Sequence, residues 1–241
     1  MDKSVFQQAN SFLDSVYREQ THFDERPRIT LTFAQSLDGK IAKKDQQVLI
    51  SGKESLAMTH RLRTMHDGIM VGIGTALIDN PQLNVRYVEE LKASSPQPIV
   101  LDPFLRLPLD CKLIKNYQHQ MGKQPWLVVS EKGCQMHSEK KEQLQKAGVK
   151  LLVISTDEDR IPLKDVYGIL KQHGINTLMI EGGSRIIQSC IHGEWDQLII
   201  TIGPMFLGSD GIPAITDNLV PYLNNVQYQT MGRDIVMAAT K

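Results

Sequence analysis

Thr177-Leu178-Met179-Ile180-Glu181-Gly182-Gly183-Ser184-Arg185 is the stretch whose residue types come closest to chemistry. Four residues suited to a buried strand run into an acid, and two glycines separate that acid from a Ser-headed apolar run. The pattern predicts strand, tight turn, helix, with Ile186, Ile187, Cys190 and Ile191 recurring on one helical face. Glycine has no Cβ, so the backbone turns sharply there and a ligand can come close. Ser184 is a candidate N-cap. Unpaired N–H groups and the dipole at such a helix start favour a phosphate. Glu181 would stand at the carboxyl end of its strand, where open α/β sheets hold ligands. A plain turn beside a solvated acid explains the same letters.

Other residues carry weaker signals. Thr75 and Asp79 are four apart, so one helical turn sets a hydroxyl beside a carboxylate, suited to ribose hydroxyls or to helix capping. Arg63 and Arg86 suit a phosphate, because a planar guanidinium binds it bidentately, or a surface ion pair. Gly72-Ile73-Gly74 begins like a dinucleotide fingerprint, but Leu77 stands where the third glycine belongs. His192-Gly193-Glu194 matches half of a zinc deaminase signature without its P-C-x-x-C partner. No other His/Cys cluster has metal spacing, so no metal is expected. Hydrolase elbows and P-loops are absent as motifs.

Alternating strands and helices must position these residues. Apolar β-branched runs predict strands at 29–34, 98–102, 125–130, 150–154, 177–181 and 197–202. A short one lies at 68–74, and Ile41-Ala42 resumes apolar character after the Asp38-Gly39 turn. Helical spacing marks 4–19, 53–66, 135–147, 163–173 and 184–191. In the second of these Met58, Leu62 and Met65 face the core, while His60, Arg61 and Arg63 fall elsewhere around the cylinder. Residues 75–81 form a turn or single coil, 89–96 a polar loop, and 207–211 another loop. Two tail strands, 226–230 and 234–239, flank Met231-Gly232-Arg233 as an antiparallel pair. The alternation predicts an α/β fold: a mostly parallel central sheet, helices on both faces and that antiparallel C-terminal pair. Residues 1–27 read as an N-terminal helical extension and 28–241 as one domain.

Composition excludes several classes. Lys+Arg and Asp+Glu are 27 each in 241 residues, so no global field recruits nucleic acid or an anionic membrane. No apolar run reaches the roughly 20 residues that span a bilayer, and the polar N-terminus has no signal-peptide pattern. Three widely spaced cysteines point to reduced thiols in a cytoplasmic protein.

Taken jointly, a series of stretches resembles a known family. In order they are Ser36-Leu37-Asp38-Gly39-Lys40-Ile41-Ala42, Ser51-Gly52, His60-Arg61-Leu62-Arg63, Asp67 to Thr75, Asp79-Asn80-Pro81-Gln82-Leu83-Asn84-Val85-Arg86, Glu181-Gly182-Gly183, and Gly203-Pro204 to Gly208. The series is similar to the reductase domain of riboflavin biosynthesis, which is related to dihydrofolate reductase, and covers roughly residues 28–213. The resemblance implies a dihydrofolate reductase-like fold and an NADPH-dependent reduction of a phosphorylated ribosylaminopyrimidinone to its ribitylamino form. Bacterial relatives carry a zinc deaminase ahead of this domain; without P-C-x-x-C, this sequence resembles the stand-alone fungal and archaeal type. Their substrate is 2,5-diamino-6-ribosylamino-4(3H)-pyrimidinone 5′-phosphate.

By the same resemblance, Ala34, Thr75, Asp79, Gly182, Gly183, Ser184, Arg185 and Ile186 would contact NADPH. Ser51, Arg63, Leu83, Arg86 and Glu181 would face the substrate, with Arg63 and Arg86 clamping its 5′-phosphate. Lys40 and Glu181 are the candidates for proton handling, with Asp38 third; Asp38 can equally close the Asp-Gly turn. A homodimer is expected from the family, and neither nucleic acid nor membrane is an expected partner. Two other readings stay open: a dihydrofolate reductase-type enzyme, and a non-catalytic NADPH-binding regulator.

Overall fold

Chain order begins with α1 (Lys3–Val16), β1 (Arg28–Ser36), β2 (Lys40–Lys43), α2 (Lys53–Arg63), β3 (Gly68–Gly72), α3 (Ile73–Asp79) and β4 (Gln97–Leu101). It continues with α4 (Lys112–Gln118), β5 (Trp126–Ser130), α5 (Glu131–Met136), α6 (Ser138–Lys146), β6 (Lys150–Ile154), α7 (Leu163–Gln172) and β7 (Thr177–Glu181). It closes with α8 (Ser184–His192), β8 (Gln197–Gly203), β9 (Gly211–Pro213), β10 (Asn224–Met231) and β11 (Asp234–Thr240). These come from a computed structural model, which describes residues 3–18, 22–44, 48–86, 95–156, 158, 160–216 and 222–241. The expected polar loop at 89–96 therefore lies mostly outside the described residues.

Nine strands form one sheet in the order β10-β11-β8-β1-β7-β3-β4-β5-β6. From β8 to β6 every pairing is parallel; β11 joins β8 antiparallel, and β10 joins β11 the same way. This is the mostly parallel α/β sheet with an antiparallel C-terminal pair that the alternation predicts. β2 and β9 make a separate two-stranded ribbon.

Side chains alternate across the sheet, so each strand feeds two cores. Leu178 and Ile180 point to the face covered by α7 and α8, together with Ile29, Leu31, Tyr167, Leu170 and Ile187. Met179 points to the opposite face, against Met58 and Leu62 of α2 and Phe12 and Leu13 of α1. Ile69 pairs with Met179, so the core around Ile69, Val71, Val100, Leu127 and Ile114 lies on that same side, further along the sheet. Glu181 is two residues beyond Met179. It therefore shares the face roofed by α2 rather than the face of its own following helix α8.

α1 is tied to this roof by more than apolar contact. Tyr17 Oη lies 2.7 Å from Thr30 Oγ1, and His66 Nε2 lies 2.8 Å from the same oxygen. His66 Nδ1 is 2.9 Å from the Leu62 carbonyl, which can only accept, so Nδ1 carries the proton and Nε2 accepts from Thr30. That orders the chain as Tyr17 to Thr30 to His66. Further along, Arg26 forks onto Asp196 with two bonds of 2.7 Å.

The structure departs from the sequence expectations at identifiable places. The 135–147 helix is two, α5 and α6, broken at His137 with φ −126 and ψ 49. Residues 73–79 are a true short helix. α4 and β9 were not expected. α4 begins at Cys111 without a side-chain cap, and β9 is three residues that gain strand geometry only by pairing with β2.

Candidate active site

Parallel strands deliver their carboxyl ends to one edge, where Ala34, Glu181 and the Gly182-Gly183 turn stand. Register places Thr32 beside Glu181 and Ser36 beside Gly203. Ala34, half-buried, pairs with Thr201 between them.

Arg63 and Glu181 are each other's partners. Arg63 Nε donates to Glu181 Oε1 and Nη2 to Oε2, both at 2.7 Å, and Nη1 donates to the Asn84 carbonyl at 2.8 Å. Arg63 is buried and Glu181 half-buried. The expectation that Arg63 falls away from the core is thus corrected: it is buried and forked onto Glu181. Three of its five N–H donors are engaged, because a carboxylate sits in fork geometry across a partly dried face.

His60, one helical turn before Arg63, is fully buried, again against expectation. Its Nδ1 accepts the backbone N–H of Arg86 at 3.0 Å. Burial first, then the charges of Arg63 and Arg86, push its pKa down to about 3. Two α2 side chains thus grip residues 84 and 86. Their i, i+3 spacing was the available signal, masked by the assumption that polar residues face water. Leu83 takes φ +51 with its side chain 2 % exposed in the core. Arg86 is exposed at the end of this segment.

The glycine turn has the geometry of a cradle. Gly182 and Gly183 take φ +61 and +86. A Cβ built on Gly183 would come 2.7 Å from Thr75 Oγ1, so the Thr75 hydroxyl borders the turn. The residue capping α8 is Gly183, not Ser184, and no side chain caps the helix start. Ser184 and Arg185 open the first turn, with Arg185 exposed. The Ile186 N–H is directed to the Gly183 carbonyl at 3.1 Å, and its side chain is core, so Ile186 contributes packing. Asp79 is exposed at the far end of α3, four residues from Thr75.

Asp38 serves a loop. Its carboxylate accepts Ser36 Oγ at 2.5 Å and the N–H groups of Leu207 and Gly208 at 3.1 and 2.8 Å. The Ser36 hydroxyl, then the Leu207 N–H, hold its pKa down to about 2, so it has no proton to give at neutral pH. Lys40 follows on β2, half-buried, its stem against Gly211 of β9. Ser51 is held from both sides: Gly52 N–H donates to buried Asp234 at 2.6 Å, and Arg233 Nη2 donates to the Ile50 carbonyl at 3.2 Å. Asp234 also accepts from Ser55 Oγ, capping α2 from a strand that is distant in sequence. That contact had no sequence signal.

Among the described residues, no group of three or more His, Cys, Asp or Glu could hold a metal ion, and no helix is long and apolar enough to cross a membrane. The residues brought together are an Arg–carboxylate pair and an uncapped glycine turn at one strand end, with Arg86 at the end of the segment Arg63 holds.

The RibD C-terminal domain model matches residues 27–237. The chain belongs to that family. The 2,5-diamino-6-ribosylamino-4(3H)-pyrimidinone 5′-phosphate reductase of Candida glabrata is 34% identical over 236 residues, covering 92% of this chain and 93% of its own. The reductase of the same name from Saccharomyces cerevisiae is 36% identical over 201 residues, 80% of each chain. The solved riboflavin biosynthesis reductase Rib7 of Saccharomyces cerevisiae superposes with a TM-score of 0.78 at 29% identity, covering 96% of this chain and 97% of its own. Membership in this reductase family agrees with the resemblance carried by the motif series.

Proposed function

We propose that this chain reduces 2,5-diamino-6-ribosylamino-4(3H)-pyrimidinone 5′-phosphate to the ribitylamino compound with NADPH, in riboflavin biosynthesis. The observation that carries this is the adjacency on one strand end of Glu181, paired to Arg63, and the positive-φ turn Gly182-Gly183. The names and coverage of the relatives support the substrate.

The residues of the turn fit a dinucleotide phosphate. Gly183 leaves open a space that a Cβ would fill against Thr75, and α8 begins without a side-chain cap. Backbone N–H groups of Ser184 and Arg185, the Thr75 hydroxyl and the Arg185 cation would hold it there. Ala34 would lie against the nicotinamide, its small side chain leaving the ring room, and Asp79 would take ribose hydroxyls. When bound, NADPH supplies the hydride that adds to C1′ of the ring-opened substrate.

The chain's own residues orient and protonate. Glu181, steered by Arg63, accepts hydrogen bonds from sugar hydroxyls and fixes the ribose; holding reacting atoms within about 3–3.5 Å is the main requirement. Arg86, with the N–H donors Arg63 retains, binds the 5′-phosphate. Ser51 and the Leu83 backbone bound the substrate on either side. Lys40 holds the proton for the atom that gathers negative charge, a contribution of about 10²–10⁴-fold. Asp38 keeps the 205–208 loop against the end of β1. A cytoplasmic homodimer belongs to the same reading. Among the described residues β10 is an outer strand exposing Val226 and Tyr228, with Ile235 beside it on β11, and sedimentation reads the dimer directly.

The test is loss of nicotinamide absorbance on addition of the authentic substrate to protein and NADPH. Oxidation that depends on the substrate is expected; none with authentic material would sink the proposal. Dihydrofolate serves as the comparison substrate.

A further inference from the structure

α2 presents two side chains to one short segment. Arg63 Nη1 holds the Asn84 carbonyl and His60 Nδ1 holds the Arg86 N–H, at 2.8 and 3.0 Å. The Val85 N–H between them is bound by Ser95 Oγ at 3.0 Å. Three consecutive residues are thus fixed through their main chain, and the Arg86 side chain leaves a pinned Cα.

His60 is an expensive way to fill this space. An apolar residue would pack in a fully buried site without the cost of drying an imidazole. What the imidazole adds is an acceptor at Nδ1. A ring nitrogen accepts only when it is unprotonated, so the His60 proton resides on Nε2. Burial and the two flanking arginines keep the ring in that neutral form.

We propose that His60 is a positioning residue: by accepting the Arg86 N–H it sets the Arg86 guanidinium where it meets the 5′-phosphate of the substrate. This rests on the proposed function, in which Arg86 is the phosphate ligand.

The experiment compares wild type, His60→Leu and His60→Asn on the phosphorylated substrate and on its dephosphorylated form. Asn carries an acceptor oxygen on Cγ, where His carries Nδ1, so it preserves the bond; Leu removes it. Expected for His60→Leu is a KM for the phosphorylated substrate raised about 10-fold, the effect of one misplaced charged hydrogen bond. Its kcat stays within about twofold, its KM for NADPH is unchanged, and so is its kinetics on the dephosphorylated form. His60→Asn returns the KM to within about threefold of wild type. A merely structural His60 would instead lower turnover of both substrates alike, or leave His60→Asn as impaired as His60→Leu; either result overturns the proposal. If His60→Leu does not fold, His60→Gln, whose acceptor lies one carbon further out, replaces it with the same expectation. A wild-type chain that leaves the substrate unreduced overturns the reductase reading and this inference together. An active wild type with an unaltered His60→Leu overturns this inference alone.

Discussion

The guanidinium of Arg63 meets the carboxylate of Glu181 as a two-pronged fork, Nε on Oε1 and Nη2 on Oε2, each at 2.7 Å. The two residues are 118 positions apart, one on a helix and one at a strand end. Removing one partner strands the other on a face roofed by α1 and α2. Arg63→Leu is expected to lower stability by about 3 kcal/mol, the range seen when buried pairs are broken from one side. Glu181→Gln, which keeps one acceptor and the shape, is expected to cost less, about 1 kcal/mol. It should abolish turnover while leaving NADPH binding near wild type. Urea unfolding reads the first pair of values, and cofactor titration beside steady-state rates reads the second. Wild-type cellular function in a Glu181→Gln chain without turnover would favour the regulator reading.

Acid should loosen the roof through His66. Burial pushes its pKa down to about 4, below the ordinary value of 6.5. Between those values the unfolded chain binds a proton that the folded chain refuses, so stability falls as pH falls. The contribution is complete above pH 6.5 and is lost as pH drops toward 4. His60, pushed down to about 3, adds a second proton with the same sign. Unfolding free energy is expected to decline by up to about 1.4 kcal/mol per pH unit for each histidine in this window. Chemical denaturation at pH 7, 6, 5 and 4.5 measures the slope. His66→Gln should reduce it to the share of His60, and a wild-type profile level from pH 6.5 to 4.5 would contradict the assignment.

The two glycines of the turn should tolerate alanine differently. At Gly182 nothing lies within 4 Å of an added Cβ, so the cost is backbone alone, about 1 kcal/mol for a left-handed residue. At Gly183 the methyl would also press on Thr75 Oγ1 at 2.7 Å and fill the phosphate space. Gly183→Ala is expected to weaken NADPH binding at least 10-fold, and Gly182→Ala several-fold less, by fluorescence titration. Thr75→Ala should recover part of the Gly183→Ala stability loss, a coupling that a double-mutant cycle reports. Strict additivity would rule out the contact.

Truncation before residue 19 removes Phe12, Leu13 and Ala9 from the core they share with Met58, Leu62 and Met179. It also leaves the Thr30–His66 pair without Tyr17. Burying two large side chains contributes about 3–6 kcal/mol, a large share of a domain's net stability. The shortened chain is expected to be insoluble or to unfold well below the melting temperature of the full chain. A truncated protein with an unchanged thermal transition would show residues 1–18 to be dispensable.

The sequence alone determined local things. A continuous apolar run marked β7 to the residue, because a strand buried on both faces needs one. The glycine pair marked the turn, because its φ values of +61 and +86 suit little else. The ordered motif series carried the family. Tertiary structure alone decided who faces whom. β1 lies between β7 and β8, its partners across some 150 residues of chain, and no periodicity encodes that order. The same pairing turns Glu181 toward α2, so an expected proton donor and an expected phosphate clamp become one ion pair. It also dries His60 and lets Asp234 cap a helix 180 residues upstream. Hydrogen bonds and charges act over a few ångströms in space. Residues that share a site but not a neighbourhood in the chain show their roles only once the fold has brought them together.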